Sequence, residues 1–365
     1  MGTVLVTGGL GFIGSHIVDA ALSRGWRVRI VDSLRTDVHG EQASSNRHGQ
    51  YLRAEAVAAE NLSVIIGDIT DATVCDDALQ GVDVVCHQAA KVGLGVDFAD
   101  TPDYVHTNET GTATLLAAMA SHGIGRLVIA SSMVVYGEGS YRDAMGPARP
   151  LPRSIDDLEN GRFDPISERT GEALVPELIT EDAALDPRNV YAVTKLGQEQ
   201  LASVWARATG GRAALLRYHN VYGPRMPKNT PYAGVASMFR SALARGEAPR
   251  VFEDGGQRRD FVHVRDVAEA NLAAIQWTSK QVAGHCRAFN VGSGDVHTVH
   301  DMARALSREY GKIEPIVTGE YRLGDVRHIT ASSQRMRHEM GWRPLISFDA
   351  GMSELAHAPL RADGR

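Results

Sequence analysis

Apolar and β-branched positions run through Val4-Leu5-Val6 and stop at a cluster of glycines, after which Phe12, Ile13, Ile17, Val18, Ala21 and Leu22 recur at helical spacing. A strand-like run followed by helical periodicity predicts strand, tight turn and helix. A second apolar run at 27–31 completes a βαβ unit. Further strands are predicted at 63–66, 83–86, 126–130, 214–217 and 288–291, with helical patterns between most of them. That alternation predicts an α/β chain built on a doubly wound parallel sheet. Between the second and third strands, 33–62 is rich in Ser, His and Gln, with a helix expected at 52–60. Six of the chain's 14 prolines fall in 137–188, which predicts a surface excursion with little regular structure. From Pro224 onward the pattern loosens into short helices and turns around the strand at 288–291. The expected organisation is therefore a large domain at 1–222, continued at 261–292, and a smaller discontinuous α/β lobe from 223–260 and 293–365.

The first turn, Thr7-Gly8-Gly9-Leu10-Gly11-Phe12-Ile13-Gly14, carries the first chemical signal. Glycine permits a positive φ and lets backbone approach a pyrophosphate, whose charge suits a helix N-terminus. The second strand ends in Asp32, 18 residues after Gly14. A carboxylate there accepts both ribose hydroxyls of an adenosine and repels a 2′-phosphate. The turn and Asp32 together predict a Rossmann-type domain holding NAD. Arg35 lies close enough in sequence to meet a 2′-phosphate, which keeps NADP open.

Composition narrows the partners. The 365 residues are 43% hydrophobic, enough for a large core. Lys and Arg number 38 against 44 Asp and Glu, with no basic tract, which argues against a nucleic-acid partner. No apolar run reaches the roughly 18 residues of a spanning helix, and the glycine turn begins too early for a signal peptide. A cytoplasmic protein with no membrane partner is expected. Cys75, Cys86 and Cys286 lack metal or disulfide spacing, so buried free thiols and no metal are expected.

A second constellation lies downstream. Ser132 follows the predicted strand at 126–130, and Tyr191 and Lys195 stand four apart, on one face of a predicted helix. Tyrosine, with a reference pKa of about 10, is a poor base, but a cation within about 4–6 Å lowers it by roughly 1–3 units. Lys195 is the expected cation. Ser132, at a strand's carboxyl end, is placed to donate to the oxygen whose proton Tyr191 takes.

With these residues in place, the chain resembles the extended short-chain dehydrogenases/reductases, in their nucleotide-sugar epimerase and dehydratase branch, over nearly its whole length. The cofactor loop resembles Gly8, Gly11 and Gly14 with Phe12 and Ile13 between them; the adenine-side motif resembles Gly67-Asp68-Ile69; the third cofactor element resembles His87-Gln88-Ala89-Ala90-Lys91. Asn108 lies in Thr107-Asn108-Glu109-Thr110-Gly111, the helix motif, and the triad falls on Ser132, Tyr191 and Lys195. Arg217-Tyr218-His219-Asn220, Arg259-Asp260-Phe261 and Phe289-Asn290-Val291-Gly292 resemble the substrate-side motifs. The resemblance implies cofactor contacts from Gly8, Gly11, Phe12, Ile13, Gly14, Asp32, Asp68, Ile69, Gln88, Ala89, Ala90, Lys91, Asn108, Tyr191 and Lys195. It implies substrate contacts from Ser132 and Asn220, and a diphosphate clamp from Arg259 and Arg327. Arg225 and Arg258 are further candidate cations, and Asn229, Tyr232 and Val251 lie where base and sugar are held.

Departures from the branch are as informative. Its dehydratases carry an Asp-Glu pair after the catalytic hydroxyl residue, where this chain has Met133 and Val134, so water elimination is not expected. His219 replaces the commoner Phe, and Gln88 the commoner Leu. The leading expectation is a 4-epimerase of a nucleoside-diphosphate hexose, with Tyr191 removing the sugar's 4-hydroxyl proton and a 4-keto intermediate turning its other face to the same cofactor. The rival is a 4-keto-6-deoxyhexose reductase using exchangeable NAD(P)H; a non-catalytic nucleotide sensor is a third reading. The resemblance also implies a homodimer through helices at 102–122 and 191–208, with Leu115, Leu116, Met119, Leu201, Val204 and Trp205 as its apolar face.

Overall fold

The computed structural model of the protein describes residues 2–39, 51–93, 98–227 and 234–359. Seven strands form the central sheet: β1 (Thr3–Thr7), β2 (Arg27–Asp32), β3 (Leu62–Ile66), β4 (Val84–His87), β5 (Arg126–Ser132), β6 (Arg212–Tyr218) and β7 (Cys286–Val291). Their order is β7-β6-β5-β4-β1-β2-β3, and every pairing is parallel. The direction of winding reverses between β1 and β4, which opens a crevice beyond the strands' carboxyl ends. This is the Rossmann-type sheet that the alternating pattern predicts.

Period-two alternation sends neighbouring strand residues to opposite layers. Val4 and Val6 pack with Ile17 and Val18 of α1 (Phe12–Ser23) and with Val267 and Ile275 of α5 (Val264–Thr278). Leu5 joins Leu79 of α2 (Ala72–Leu79), Leu115 and Met119 of α3 (Gly111–Ser121), and Trp205 of α4 (Val190–Thr209). Two apolar layers therefore fix the sheet's height, and with it the level at which the strand-end residues emerge.

Three expectations change. The helix expected at 52–60 shrinks to one turn, Ala54–Val57. Residues 137–188 hold a three-stranded antiparallel sheet, Ser140–Asp143, Gly146–Ala148 and Val175–Glu177, whose short strands carry prolines at edge positions. After Pro224 the chain forms α5, 15 residues long; buried apolar residues occupy most of its circumference, which blurs the amphipathic signal. A second sheet joins Asn220–Tyr222, Arg258–His263 and Val296–Thr298, with His328–Ile329 beside Arg258–His263. Helices Val235–Ala244, Val299–Glu309 and Phe348–His357 close a separate core around Phe239, Phe261, Met302 and Leu355. Asn229 and Tyr232 lie outside the described residues. No helix among the described residues is long and apolar enough to cross a membrane.

Candidate active site

The crevice at the switch point is lined by Gly8, Gly11, Asp32, Asp68, Ile69, Gln88, Ala89 and Ala90. Gly8 has φ +66°, and a Cβ there would sit 2.8 Å from the Ala89 backbone nitrogen. A Cβ on Gly14 would sit 2.1 Å from the Gly8 carbonyl oxygen, so the third glycine lets α1 press against the turn. The N-cap of α1 is Gly11, with no side-chain cap, so the N–H groups of Phe12 and Ile13 open into the first turn as an anion site requires. The side chains of those two residues face elsewhere: Phe12 packs on the lobe core and Ile13 on the sheet.

Asp32 is buried and held rigid: Leu10 N–H donates to Oδ2 and Leu34 N–H to Oδ1, each at 3.0 Å. Arg35 is committed to an acid. Its guanidinium grips Asp103 at 2.9 and 2.7 Å, and these bonds, against the cost of burial, hold the Asp103 carboxyl well below the usual range. Lys91 Nζ shares that carboxylate at 2.6 Å. A carboxylate at the ribose and a cation already neutralised fit NAD better than its 2′-phosphorylated form.

Asn108 departs from the expected cofactor contact. Its Oδ1 accepts from Lys91 N–H at 2.7 Å, and its Nδ2 donates to Lys91 O at 3.0 Å and Thr194 Oγ1 at 2.9 Å. Fully buried, it pins the backbone of Lys91 to α4 instead. Gln88 likewise spends its amide on Asn271 and on the Tyr218 hydroxyl, so its contribution to the crevice is backbone. Beneath them lies a layer that sequence reading missed. Thr7 Oγ1 accepts from Gln88 and Ala89 N–H, both at 3.2 Å, and so donates to His87 Nδ1 at 2.7 Å. His87 Nε2 then faces Thr112 Oγ1 at 3.0 Å. Burial, helped by the Lys195 charge, pushes His87 down to about 3, so the ring is neutral. The signal was present: His87 ends β4 inside a quoted motif.

Ser132 closes β5, and the Asn189 side chain caps α4 by accepting from Ala192 N–H at 2.8 Å, which aims Tyr191 and Lys195 at that strand end. Ser132 stands near enough to the Tyr191 phenol to favour its ionised form. Burial nevertheless pushes the Tyr191 phenol up to about 12. Burial also pushes Lys195 down to about 7, partly offset by Glu199. Lys195 Nζ donates to the Ala130 carbonyl at 2.9 Å and lies 5.9 Å from the centre of the Tyr191 ring. The three residues are brought together at the strand end, and in the protein alone burial dominates the state of the phenol.

The expected diphosphate clamp is occupied by protein. Arg327 donates to Asp164 at 2.7 Å, Glu253 at 2.9 Å, and Asp254 at 2.8 and 2.9 Å, and is 2% exposed. Arg259 donates to the carbonyls of Arg258, Arg327 and Val326. Arg225 is spent on His16, Tyr51 and Asp19. Arg327 thereby binds the fold together through three carboxylates, while Arg225 and Arg259 each make three contacts to protein and keep donors to spare. Arg322, which sequence reading passed over, is exposed, with its guanidinium 5.1 Å above the Phe252 ring. Asn220 keeps an open acceptor, since its buried Oδ1 has no partner.

A sheet with its dinucleotide crevice at the switch point, and a serine, tyrosine and lysine gathered beside it, defines an enzyme of the short-chain dehydrogenase/reductase class. Within it, the chain belongs to the NAD dependent epimerase/dehydratase family, which matches residues 4–292. NAD is that family's cofactor. The dTDP-L-rhamnose 4-epimerase of Burkholderia thailandensis is 32% identical over 96% of this chain and 93% of its own. Among solved structures, the UDP-N-acetylglucosamine 4-epimerase from Methanobrevibacter ruminantium, in complex with UDP-N-acetylmuramic acid, superposes with a TM-score of 0.77 at 27% identity, covering 97% of each chain. The Thermus thermophilus UDP-glucose 4-epimerase, in complex with NAD, gives 0.72 at 29% identity, again over 97% of both chains.

Proposed function

We propose that the protein is a nucleotide-sugar 4-epimerase, acting on a nucleoside-diphosphate hexose through a 4-keto intermediate with NAD retained. The observation that carries this reading is the gathering of Ser132, Tyr191 and Lys195 at the strand ends, Lys195 anchored on the Ala130 carbonyl at 2.9 Å, with Met133 and Val134 following in place of proton-transferring side chains. When bound, NAD supplies hydride acceptance and a positive ring charge. Tyr191 removes the proton of the sugar's 4-hydroxyl, and Ser132 holds that oxygen. Lys195, anchored on Ala130, presents its remaining donors to the nicotinamide ribose. Asp32 takes the adenosine ribose, and the turn from Gly8 to Gly14 takes the pyrophosphate. Asn220, and Arg322 in place of Arg327, serve the sugar diphosphate in this reading.

The 4-ketosugar reductase remains the second reading. It is disfavoured in its NADPH form by the Arg35–Asp103 pairing, which leaves a 2′-phosphate facing Asp32. Denaturing the purified protein and quantifying the released nicotinamide separates the two. Near-stoichiometric NAD, with interconversion of a nucleoside-diphosphate hexose and its C4 epimer without added cofactor, is expected. An empty protein that consumes NADPH against 4-ketosugars overturns the epimerase. Cys75, Cys86 and Cys286 are free thiols, which suits a reducing compartment such as the cytoplasm.

A homodimer completes the proposal, on a corrected surface. Leu115, Leu116, Met119 and Trp205 are buried in the sheet's own core and offer nothing to a partner. Val105, Val193 and Val204, on the neighbouring segments Val105–Thr110 and α4, are 39%, 50% and 57% exposed. Val204→Glu is expected to turn a sedimenting dimer into a monomer at micromolar concentration. A monomeric wild type in the same run refutes the dimer.

A further inference from the structure

Strand β2 delivers Asp32 to the crevice, and the chain then passes through Leu34, at φ +50°, into the single helical turn Thr36–His39. That turn brings back a second polar side chain. His39 lines the same crevice, its Nε2 stands 3.4 Å from Asp32 Oδ1, and the two side chains are 3% and 7% exposed. The Tyr51 ring meets the imidazole edge-on, with 4.6 Å between centroids and 72° between planes. The far nitrogen, Nδ1, is buried with no hydrogen-bond partner among the described residues. Packing therefore aims the ring at one polar group, the Asp32 carboxylate.

A carboxylate only accepts, so the nitrogen that faces it carries the hydrogen. Their separation of 3.4 Å exceeds the roughly 2.7–3.2 Å of a close N–H···O bond, which leaves this donor underused. Asp32 takes the Leu34 N–H on Oδ1 and the Leu10 N–H on Oδ2, each at 3.0 Å, and keeps acceptor capacity on both oxygens. A ribose hydroxyl both donates and accepts. Asp32 can take its hydrogen but cannot serve its lone pairs, and the nearby Arg35 guanidinium is spent on Asp103. An underused N–H beside an underused acceptor makes a pair that suits one hydroxyl oxygen.

We propose that His39 donates from Nε2 to a hydroxyl of the adenosine ribose of NAD, completing the recognition that Asp32 begins and setting a preference for the ribose over its deoxy forms. This rests on the reading of Asp32 as the ribose acceptor. A site whose polar groups match a hydroxyl rejects the analogue that lacks it, because those groups are then left unpaired. Ser33, on the same wall, is the competing donor, but it is exposed to water, which competes for its hydroxyl.

The test equilibrates the purified enzyme with equal amounts of NAD and its 2′-deoxyadenosine or 3′-deoxyadenosine analogue, denatures it, and counts the two dinucleotides it held. The wild type should hold NAD over at least one analogue by about 10- to 100-fold, the span of hydrogen bonds to a charged group. His39→Phe, which keeps a ring against Tyr51, should cut that ratio about 3- to 10-fold, and His39→Gln, which keeps an N–H donor, should restore part of it. If the phenylalanine variant fails to fold, His39→Asn, with its shorter reach, must lower the ratio. A purely structural role would weaken both dinucleotides alike, so a ratio unchanged in a folded variant overturns the proposal. A ratio that falls in Ser33→Ala instead does the same. Asp32→Ala tests the reading underneath: a ratio lost there but kept in His39→Phe sinks the proposal alone. A ratio untouched by Asp32→Ala, or no preference in the wild type, sinks both.

Discussion

Replacing Tyr191 with phenylalanine is expected to lower kcat for epimerisation by about 10² to 10⁴, the span attributed to general acid–base groups, with NAD content and melting temperature close to wild type. Only the hydroxyl that meets Ser132 is removed, and the ring keeps its place near Tyr104, 6.3 Å away between centroids. The pH profile carries the second half of this prediction. Burial holds the phenol at about 12 in the protein alone, so the reactive phenolate is scarce at neutral pH. The cation that a loaded crevice brings shifts that equilibrium toward phenolate, because an opposite charge nearby favours the ionised form. Since the base must be unprotonated, the wild-type rate should fall as pH falls, whereas the residual rate of Y191F should be flat. Steady-state kinetics across the neutral and alkaline range measure both. A variant with wild-type turnover would remove Tyr191 from the mechanism.

Gly14→Ala is expected to abolish cofactor retention. The new Cβ would lie 2.1 Å from the Gly8 carbonyl oxygen and 2.9 Å from Gly9 Cα, both backbone atoms that cannot rotate away. Either α1 moves off the turn or the turn opens, and in both cases the first-turn N–H groups lose their aim. Overpacking of this kind costs about 1–3 kcal/mol in stability. Gly125→Ala is the matched control, since its nearest neighbour is Gly211 Cα at 4.0 Å. Nicotinamide released on denaturation should be near zero for G14A and unchanged for G125A. Full occupancy in a folded G14A would show that the close approach of helix and turn is dispensable.

What the sequence disclosed follows from how local each signal is. The turn between β1 and α1 was legible because its conformation demands glycine at Gly8 and its packing demands glycine at Gly14, whatever surrounds them. Asp32, Ser132 and the Tyr191–Lys195 spacing were legible for the same reason: each is fixed by a strand end or a helical turn. The roles of Arg327 and Asn108 were not. Arg327 finds its acid at Asp164, 163 residues away, and Asn108 finds Thr194 at a distance of 86. A motif shows that an arginine is present, but only the folded chain shows whether its donors are already taken. Arg35 is the parallel case, read as a cation for phosphate and found paired with Asp103, 68 residues on. The helix α5 escaped notice because a segment buried around most of its surface loses the polar face by which periodicity is recognised.

The network around Arg327 has a mechanical meaning. Arg153 and Asp164 from the excursion at 137–188 join Glu253, Asp254 and Arg327 from the lobe, and Glu138 accepts the backbone N–H groups of Arg327 and His328. Arg153, Glu253 and Arg327 are each at most 7% exposed at the side chain, so parting them would strand charges away from water. Excursion and lobe are thereby riveted together, so that removing any one of these buried charges loosens both at once rather than one of them.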